Sequence, residues 1–236
     1  MKKIMIILGV TLLILACSGY TAYKWINSRT FQLFGELIPR VDTDKKAVAL
    51  TFDDGPNEKT DEILRLLDQN NVKTTFFLIG QEMEKHPQEG KKLVQAGHEI
   101  GNHTYSHKRM IFKPSSFIQS EIERTDALIR ESGYTGKILF RPPYGKKLFG
   151  LPYYLNEHDR TTIMWDIEPE TYPEIAKDPL KIVQYVSDNV KPGSIILIHP
   201  WYYSSEDLQT ILNGVISDLK EKGYTFETVS ELIKKE

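Results

Sequence analysis

The sequence predicts an α/β fold in which parallel strands close into a small, incomplete (β/α) barrel of about seven strands. Three observations predict it. From Lys46 onward, short apolar runs alternate with amphipathic stretches, the pattern of repeated βα units. About 190 residues are available for that pattern, fewer than the roughly 250 of a complete eight-fold barrel. The unusual polar residues fall at the C-terminal ends of the strand candidates, and those ends converge on one face of a βα barrel. An open doubly wound sheet is the alternative. No Gly-rich phosphate fingerprint follows the first strand, so no nucleotide is expected.

Taken in order, the chain begins with two lysines and a charge-free apolar run, Ile4 to Ala16. Residues 1–26 are therefore expected to be a membrane anchor or signal segment outside the fold. Ile14-Leu15-Ala16-Cys17 resembles a lipobox, which makes a lipoprotein the competing reading. Either way the remainder is expected at the outer face of the cytoplasmic membrane, or secreted if the segment is cleaved. Residues 27–45 carry Phe31, Leu33, Phe34, Leu37 and Ile38 at near-helical spacing before Pro39, and read as a stalk and docking segment. Residues 46–236 are the expected catalytic domain. Its strand candidates are 47–52, 74–79, 98–101, 138–140, 161–165, 194–198 and 225–228; helices are expected over 60–69, 89–96, 115–131, 179–189 and 206–222. Ser115-Ser116 and Pro179 are helix-start signals, and Gly97, Gly133 and Gly223 stand where left-handed caps are expected.

Composition narrows the chemistry. With 30 Lys and Arg against 32 Asp and Glu, nothing suggests a nucleic-acid partner. Removing residues 1–26 takes away Lys2, Lys3 and Lys24 and no acid, so the remainder is mildly acidic. One cysteine, Cys17, excludes an internal disulfide framework or a Cys-rich zinc cluster. Any metal site is then built from His, Asp and Glu.

Such a set is visible. Asp53-Asp54 follow the first strand, His103 and His107 the third, Arg141 the fourth, Asp166 to Glu170 the fifth and His199 the sixth. Asp-Asp-Gly-Pro alone reads as a turn. Two adjacent carboxylates at the mouth of a buried strand nevertheless repel each other and resist desolvation unless a cation or a buried arginine offsets them. His-x-x-x-His places two imidazoles on one side of a helical turn, and an Asp oxygen would complete a catalytic metal site with a position left for water. Which aspartate does so is open at this level. His98 opens its strand away from these residues and reads as structural. Trp201, Tyr202 and Tyr203 read as either sugar-stacking faces or loop packing.

The motifs Thr51-Phe52-Asp53-Asp54-Gly55-Pro56, His103-Thr104-Tyr105-Ser106-His107, Arg141-Pro142-Pro143-Tyr144-Gly145 and Leu197-Ile198-His199 occur in this order. In them the chain from about Lys46 resembles the NodB-type polysaccharide deacetylases, carbohydrate esterase family 4. The resemblance implies a distorted, incomplete (β/α) barrel that hydrolyses acetyl groups from sugars. It implies that Asp54, His103 and His107 hold a divalent metal, zinc first, with cobalt, manganese or nickel as alternatives. Asp53 would be the general base on the attacking water, Arg141 its partner and His199 the acid to the leaving amine. The backbone N–H of Tyr144 would steady the oxyanion, with Pro142, Leu197, Trp165 and Tyr172 around the substrate. The implied substrate is a cell-envelope polysaccharide, peptidoglycan N-acetylglucosamine first and a chitin-like glycan second, with an O-acetyl esterase or an inactive glycan-binding protein as alternatives. One motif departs: the family's Asp-x-x-Asp-Trp is replaced by Trp165-Asp166-Ile167-Glu168-Pro169-Glu170-Thr171-Tyr172, so the carboxylate that orients His199 is expected from Asp166, Glu168 or Glu170.

Overall fold

A computed structural model describes residues 2–236. It opens with α1 (Lys2–Asn27), a helix long and apolar enough to cross a membrane, none of whose residues is buried. The remainder runs β1 (Leu37–Ile38), β2 (Ala47–Asp54), α2 (Thr60–Gln69), β3 (Thr75–Leu78), α3 (Gly80–Lys85), α4 (Pro87–Gln95), β4 (Glu99–Asn102), α5 (Ser115–Glu131), α6 (Gly150–Glu157), β5 (Thr162–Ile163), α7 (Pro173–Ala176), α8 (Pro179–Asn189), β6 (Ile195–Ile198), α9 (Ser205–Glu221), β7 (Thr225–Phe226) and α10 (Val229–Ile233).

All strand ladders are parallel. β2 lies between β3 and β6, β4 flanks β3, and β7 pairs with Ala47 and Val48 at the start of β2. The ring continues through single bridges from Asn102 to Phe140 and from Phe140 to Thr162, and β5 pairs with β1. It closes where Arg40 bridges Ser194 and Ile167 bridges Ile196 of β6. Seven strands are thus present among the described residues, but with a different membership from the expected one. The candidate at 138–140 is reduced to bridges at Phe140, and β1 takes a place in the wall.

β1 comes from the segment read as a stalk and docking segment, whose near-helical apolar spacing gives a short strand in the barrel wall. Residues 36–41 are extended, with the Thr162 and Met164 N–H groups donating to the Glu36 and Ile38 carbonyls and the Val41 N–H to Gly193. Val41 is buried, and Leu37 and Ile38 pack against the same cluster. Gly193, at φ +79°, admits this close approach; a Cβ there would lie 1.9 Å from the Val41 oxygen.

Every residue of β2 is buried because both faces of the strand are covered. Alternation divides them. Val48, Leu50 and Phe52 pack outward in a cluster with α2, α8 and α9, whereas Ala47 and Ala49 join Phe77, Leu139, Ile163 and Leu197 inside the barrel. Val229 and Leu232 of α10 belong to the inner cluster. The helices expected over 60–69, 115–131 and 179–189 have those bounds, and Gly97, Gly133 and Gly223 all take positive φ. Asp178 caps α8 by accepting from the Leu180 and Lys181 N–H groups, with Pro179 in the first turn. Ser115 and Ser116 stand inside the first turn of α5, after an extended Pro114, and do not cap it.

A fragment of residues 46–236 is expected to unfold at a lower urea concentration than one of residues 28–236. Exposing the cluster around Val41, Leu37 and Ile38 removes about 3 kcal/mol or more, at roughly 1.5–3 kcal/mol per fully buried aliphatic side chain; urea unfolding of both fragments checks this.

Candidate metal and active site

Strand alternation alone would send Asp53 and Asp54 to opposite faces. Asp53 shares the inward side with Ala47, Ala49 and Thr51. Asp54 takes φ +84°, a left-handed conformation that disfavours an L side chain and turns its carboxylate back to the same mouth. Thr104 (φ +66°) and His107 (φ +54°) behave likewise after β4, and Tyr144 (φ +58°) after Arg141. Strained backbone therefore collects around one point. Gly55 is required by contact, since a Cβ would lie 2.0 Å from the Trp201 ring.

Asp54, His103 and His107 offer three ligand atoms within 4.8 Å of one another. Asp54 Oδ1 lies 3.3 Å from His107 Nε2 and 3.8 Å from His103 Nε2. That oxygen is buried without a hydrogen-bond partner, while Oδ2 accepts from the Tyr202 hydroxyl at 2.7 Å. The His103 Nδ1 is 2.7 Å from the Arg141 carbonyl, so it carries the proton and leaves the Nε2 lone pair facing Asp54. Burial, then the neighbouring His107, push His103 down to about 3, keeping the imidazole neutral. An orphaned carboxylate oxygen beside two imidazoles fits a divalent cation of the zinc type.

Asp53, 2% exposed, is held differently. Its Oδ1 accepts from Arg141 Nη1 at 2.7 Å, and Oδ2 stands 3.6 Å from His103 Nε2. Arg141 is fully buried, giving Nη1 also to Thr51 Oγ1, Nε to the Ile163 carbonyl and Nη2 to the Met164 carbonyl, with Phe77 4.1 Å from its Cζ. A guanidinium with these partners is immobile.

The altered motif is accommodated by Glu170. Its Oε2 pairs with His199 Nδ1, and Oε1 accepts from the His199 N–H at 3.0 Å and the Tyr203 hydroxyl at 2.6 Å. Burial works against a charged His199, but Glu170, then Asp53 and Asp54, raise it to about 9; Glu170 is correspondingly lowered, its own burial outweighed by His199 and Tyr203. Glu168 instead accepts from Arg29 and the Trp165 indole. Asp166 turns away, holding Ser194 and the Ile195 N–H.

Asp53, Asp54, His103, His107, Glu170 and His199 line a cavity of about 750 Å³, along with Tyr144, Trp165, Leu197 and Glu168, whereas Arg141 and Asp166 stay outside its lining. Two residues expected around the substrate do not line it: Pro142 is buried and precedes the turn at Tyr144, and Tyr172 packs on Tyr185 outside. The aromatic triplet divides. Trp201 is buried and donates to the Asp53 carbonyl, whereas Tyr202 and Tyr203 reach the cavity. His98 is structural, buried against Thr74 and lowered to about 4 by burial. Sequence reasoning missed Asn27, Arg29 and Lys146 in the wall. The only signal was the Lys146-Lys147 pair directly after the Arg-Pro-Pro-Tyr-Gly motif.

The polysaccharide deacetylase family model matches residues 40–163. A peptidoglycan-N-acetylglucosamine deacetylase of Bacillus cereus is 34% identical over 220 residues, covering 92% of this chain and 76% of that protein. The structure of a peptidoglycan N-acetylglucosamine deacetylase in complex with an N-hydroxybenzamide compound superposes with a TM-score of 0.76 at 34% identity, over 84% of this chain and 92% of that one. A carbohydrate esterase family 4 pseudoenzyme from Bacillus anthracis superposes at 0.75 with 30% identity, over 84% and 69%.

Arg141→Met is expected to destabilise the chain by about 3–5 kcal/mol at neutral pH, because it leaves Asp53 buried without its counter-charge. Adding Asp53→Asn should recover part of the loss, read as a double-mutant cycle in urea.

Proposed function

This chain belongs to the polysaccharide deacetylase family, and from that premise we propose that it is a metal-dependent N-deacetylase of a cell-envelope polysaccharide, with peptidoglycan N-acetylglucosamine as first substrate and a chitin-like glycan as second. The observation that carries the reading is the pairing of an Asp54-His103-His107 ligand set with two differently held groups beside it, Asp53 on Arg141 and His199 on Glu170. A glycan-binding protein that does no chemistry has no use for that asymmetry. Residues 28–236 would form the catalytic unit, with α1 as its anchor or signal segment at the outer face of the membrane.

Asp54, His103 and His107 would hold the cation, zinc by donor set, which supplies Lewis-acid polarisation of the acetyl carbonyl and acidifies a water. Asp53 takes a proton from the attacking water, its carboxylate oriented by Arg141 and its free oxygen facing the ligand set. Leu197 and Trp165 give the acetyl group an apolar wall. The Tyr144 N–H is assigned to the oxyanion. As the carbon–nitrogen bond breaks, His199 gives its Nε2 proton to the departing amine; Glu170, on Nδ1, keeps the ring charged and oriented until then. The products are acetate and a free amino sugar.

Two outcomes are expected. Asp53→Asn should lower metal-dependent acetate release from peptidoglycan or chitooligosaccharides by about 10²-fold or more while one metal per chain is retained, whereas His103→Ala should lose both; metal analysis and acetate release check them together. Acetate release should also fall as pH rises through the His199 value, at or below about 9 because a bound cation offsets the aspartates. The acid form of His199 is the active one and is lost on the alkaline side, so Glu170→Gln, which removes the charge raising it, should move that limb to lower pH.

A further inference from the structure

The wall of the catalytic cavity nearest the N-terminus is made by the residues that directly follow α1. Asn27, the last residue of α1, and Arg29 both line the cavity, together with Lys146. Their attachment is specific. Lys146 Nζ donates to Asn27 Oδ1, and Lys147, 1% exposed, donates to the Ser28 carbonyl at 2.6 Å. Arg29 gives Nη2 to Glu168 at 2.5 Å and to Thr171 Oγ1 at 3.2 Å, and its Cζ stands 4.8 Å from the Trp165 ring.

Two cations, Arg29 and Lys146, stand in the lining beside Glu168, which pairs with Arg29, and a third, Arg109, lies behind Tyr144 with its Cζ 5.2 Å from that ring. Burial, then Arg109 and Arg29, push the Lys146 ammonium down, as expected of crowded like charges. A guanidinium has five N–H donors, so donors remain on Arg29 beyond those serving Glu168 and Thr171.

Position supplies the second argument. The apolar run of α1 is followed by Tyr20, Tyr23 and Trp25, exposed aromatics of the kind that settle at the lipid headgroups. Asn27 stands three residues past Lys24, a rise of about 4.5 Å. A chain that keeps α1 as a membrane span therefore holds this end of its catalytic cavity at the headgroup level, where the phosphate of a lipid-linked glycan lies.

We propose that Asn27, Arg29 and Lys146 form an anion subsite of the catalytic cavity at the membrane face, and that the substrate is an N-acetylated glycan joined to a membrane lipid through a phosphate ester. The proposal rests on the deacetylase reading and names its substrate class. The phosphate takes charge-assisted hydrogen bonds from Arg29 and Lys146, while the acetamide of a nearby sugar reaches Asp53 and His199.

The test uses the full chain, metal-loaded, in phosphatidylcholine vesicles. Acetate release is measured from an N-acetylglucosamine trisaccharide in three forms: joined to a polyprenyl chain through pyrophosphate, as the soluble 1-phosphate, and free. The expected result is kcat/KM for the lipid-linked form about ten-fold or more above the free form, the yield of one hydrogen bond between charged groups, with the 1-phosphate between them. Arg29→Gln should bring the lipid-linked to free ratio close to one, and Arg29→Lys should keep part of it. Equal rates on lipid-linked and free forms overturn the proposal, as does an Arg29→Gln loss that is the same on both, which marks a merely structural wall. A 1-phosphate turned over as well as the lipid-linked form supports the anion subsite and overturns the lipid attachment. Release from no form by chain that holds its metal overturns the deacetylase reading, and this inference with it.

Discussion

Arg141 places a full positive charge inside the barrel, and the mouth of the site is arranged around it. Its guanidinium is out of reach of water, so its partners must come from the strands: Thr51 and Asp53 from β2, and the carbonyls of Ile163 and Met164 from and just after β5. Those contacts tie two walls of the ring together where the ladder between Phe140 and Thr162 is only a bridge. The Arg141 carbonyl also sets the tautomer of His103. One residue thereby compensates a buried carboxylate, closes a weak seam and prepares a metal-ligand lone pair. Replacing its side chain is felt in the first two of these places, the carbonyl on His103 being backbone, and so the ion pair here is more than the weak stability evidence that buried pairs usually give.

The second organising fact is that two histidines in one cavity are driven in opposite directions. His103 is buried beside another imidazole and stays neutral, as a ligand must; His199 is partly exposed and faces Glu170, and stays charged. Groups of one type with separated proton affinities are the mark of divided acid and base roles. Tyr203 reinforces the division by donating to Glu170 on the oxygen that also takes the His199 N–H.

Much of this was legible in the sequence, for identifiable reasons. Asp53 and Asp54 close β2 and His199 follows β6, strands that announce themselves as continuous apolar runs, while His103 follows β4 and Arg141 the bridges at Phe140. Helices 60–69, 115–131 and 179–189 were readable because their apolar faces repeat over several turns. β1 was not, because it is two residues long and its partner Thr162 lies far along the chain, leaving no local period to detect. Glu170 could not be separated from Asp166 and Glu168 by spacing. Three acids lie within five residues, and only the path from the bend at Asp166 to the turn at Pro169–Thr171 sends one to Ser194, one to Arg29 and one to His199.

That bend connects the departure from the family pattern to the segment read as a stalk. Glu168 accepts from Arg29, from the Trp165 indole and from Thr171, so the stretch after the fifth strand is tied to a side chain from outside the repeated βα units. Trp165 in turn lies between two guanidiniums, Arg29 on the outside at 4.8 Å and Arg141 inside at 5.4 Å from its ring. Tyr172 has no such neighbours and faces Tyr185 outside the cavity. The altered stretch and the docked N-terminal segment therefore meet in one wall of the cavity: Arg29 stands in it, and Glu168 and Trp165 are the groups that hold it there.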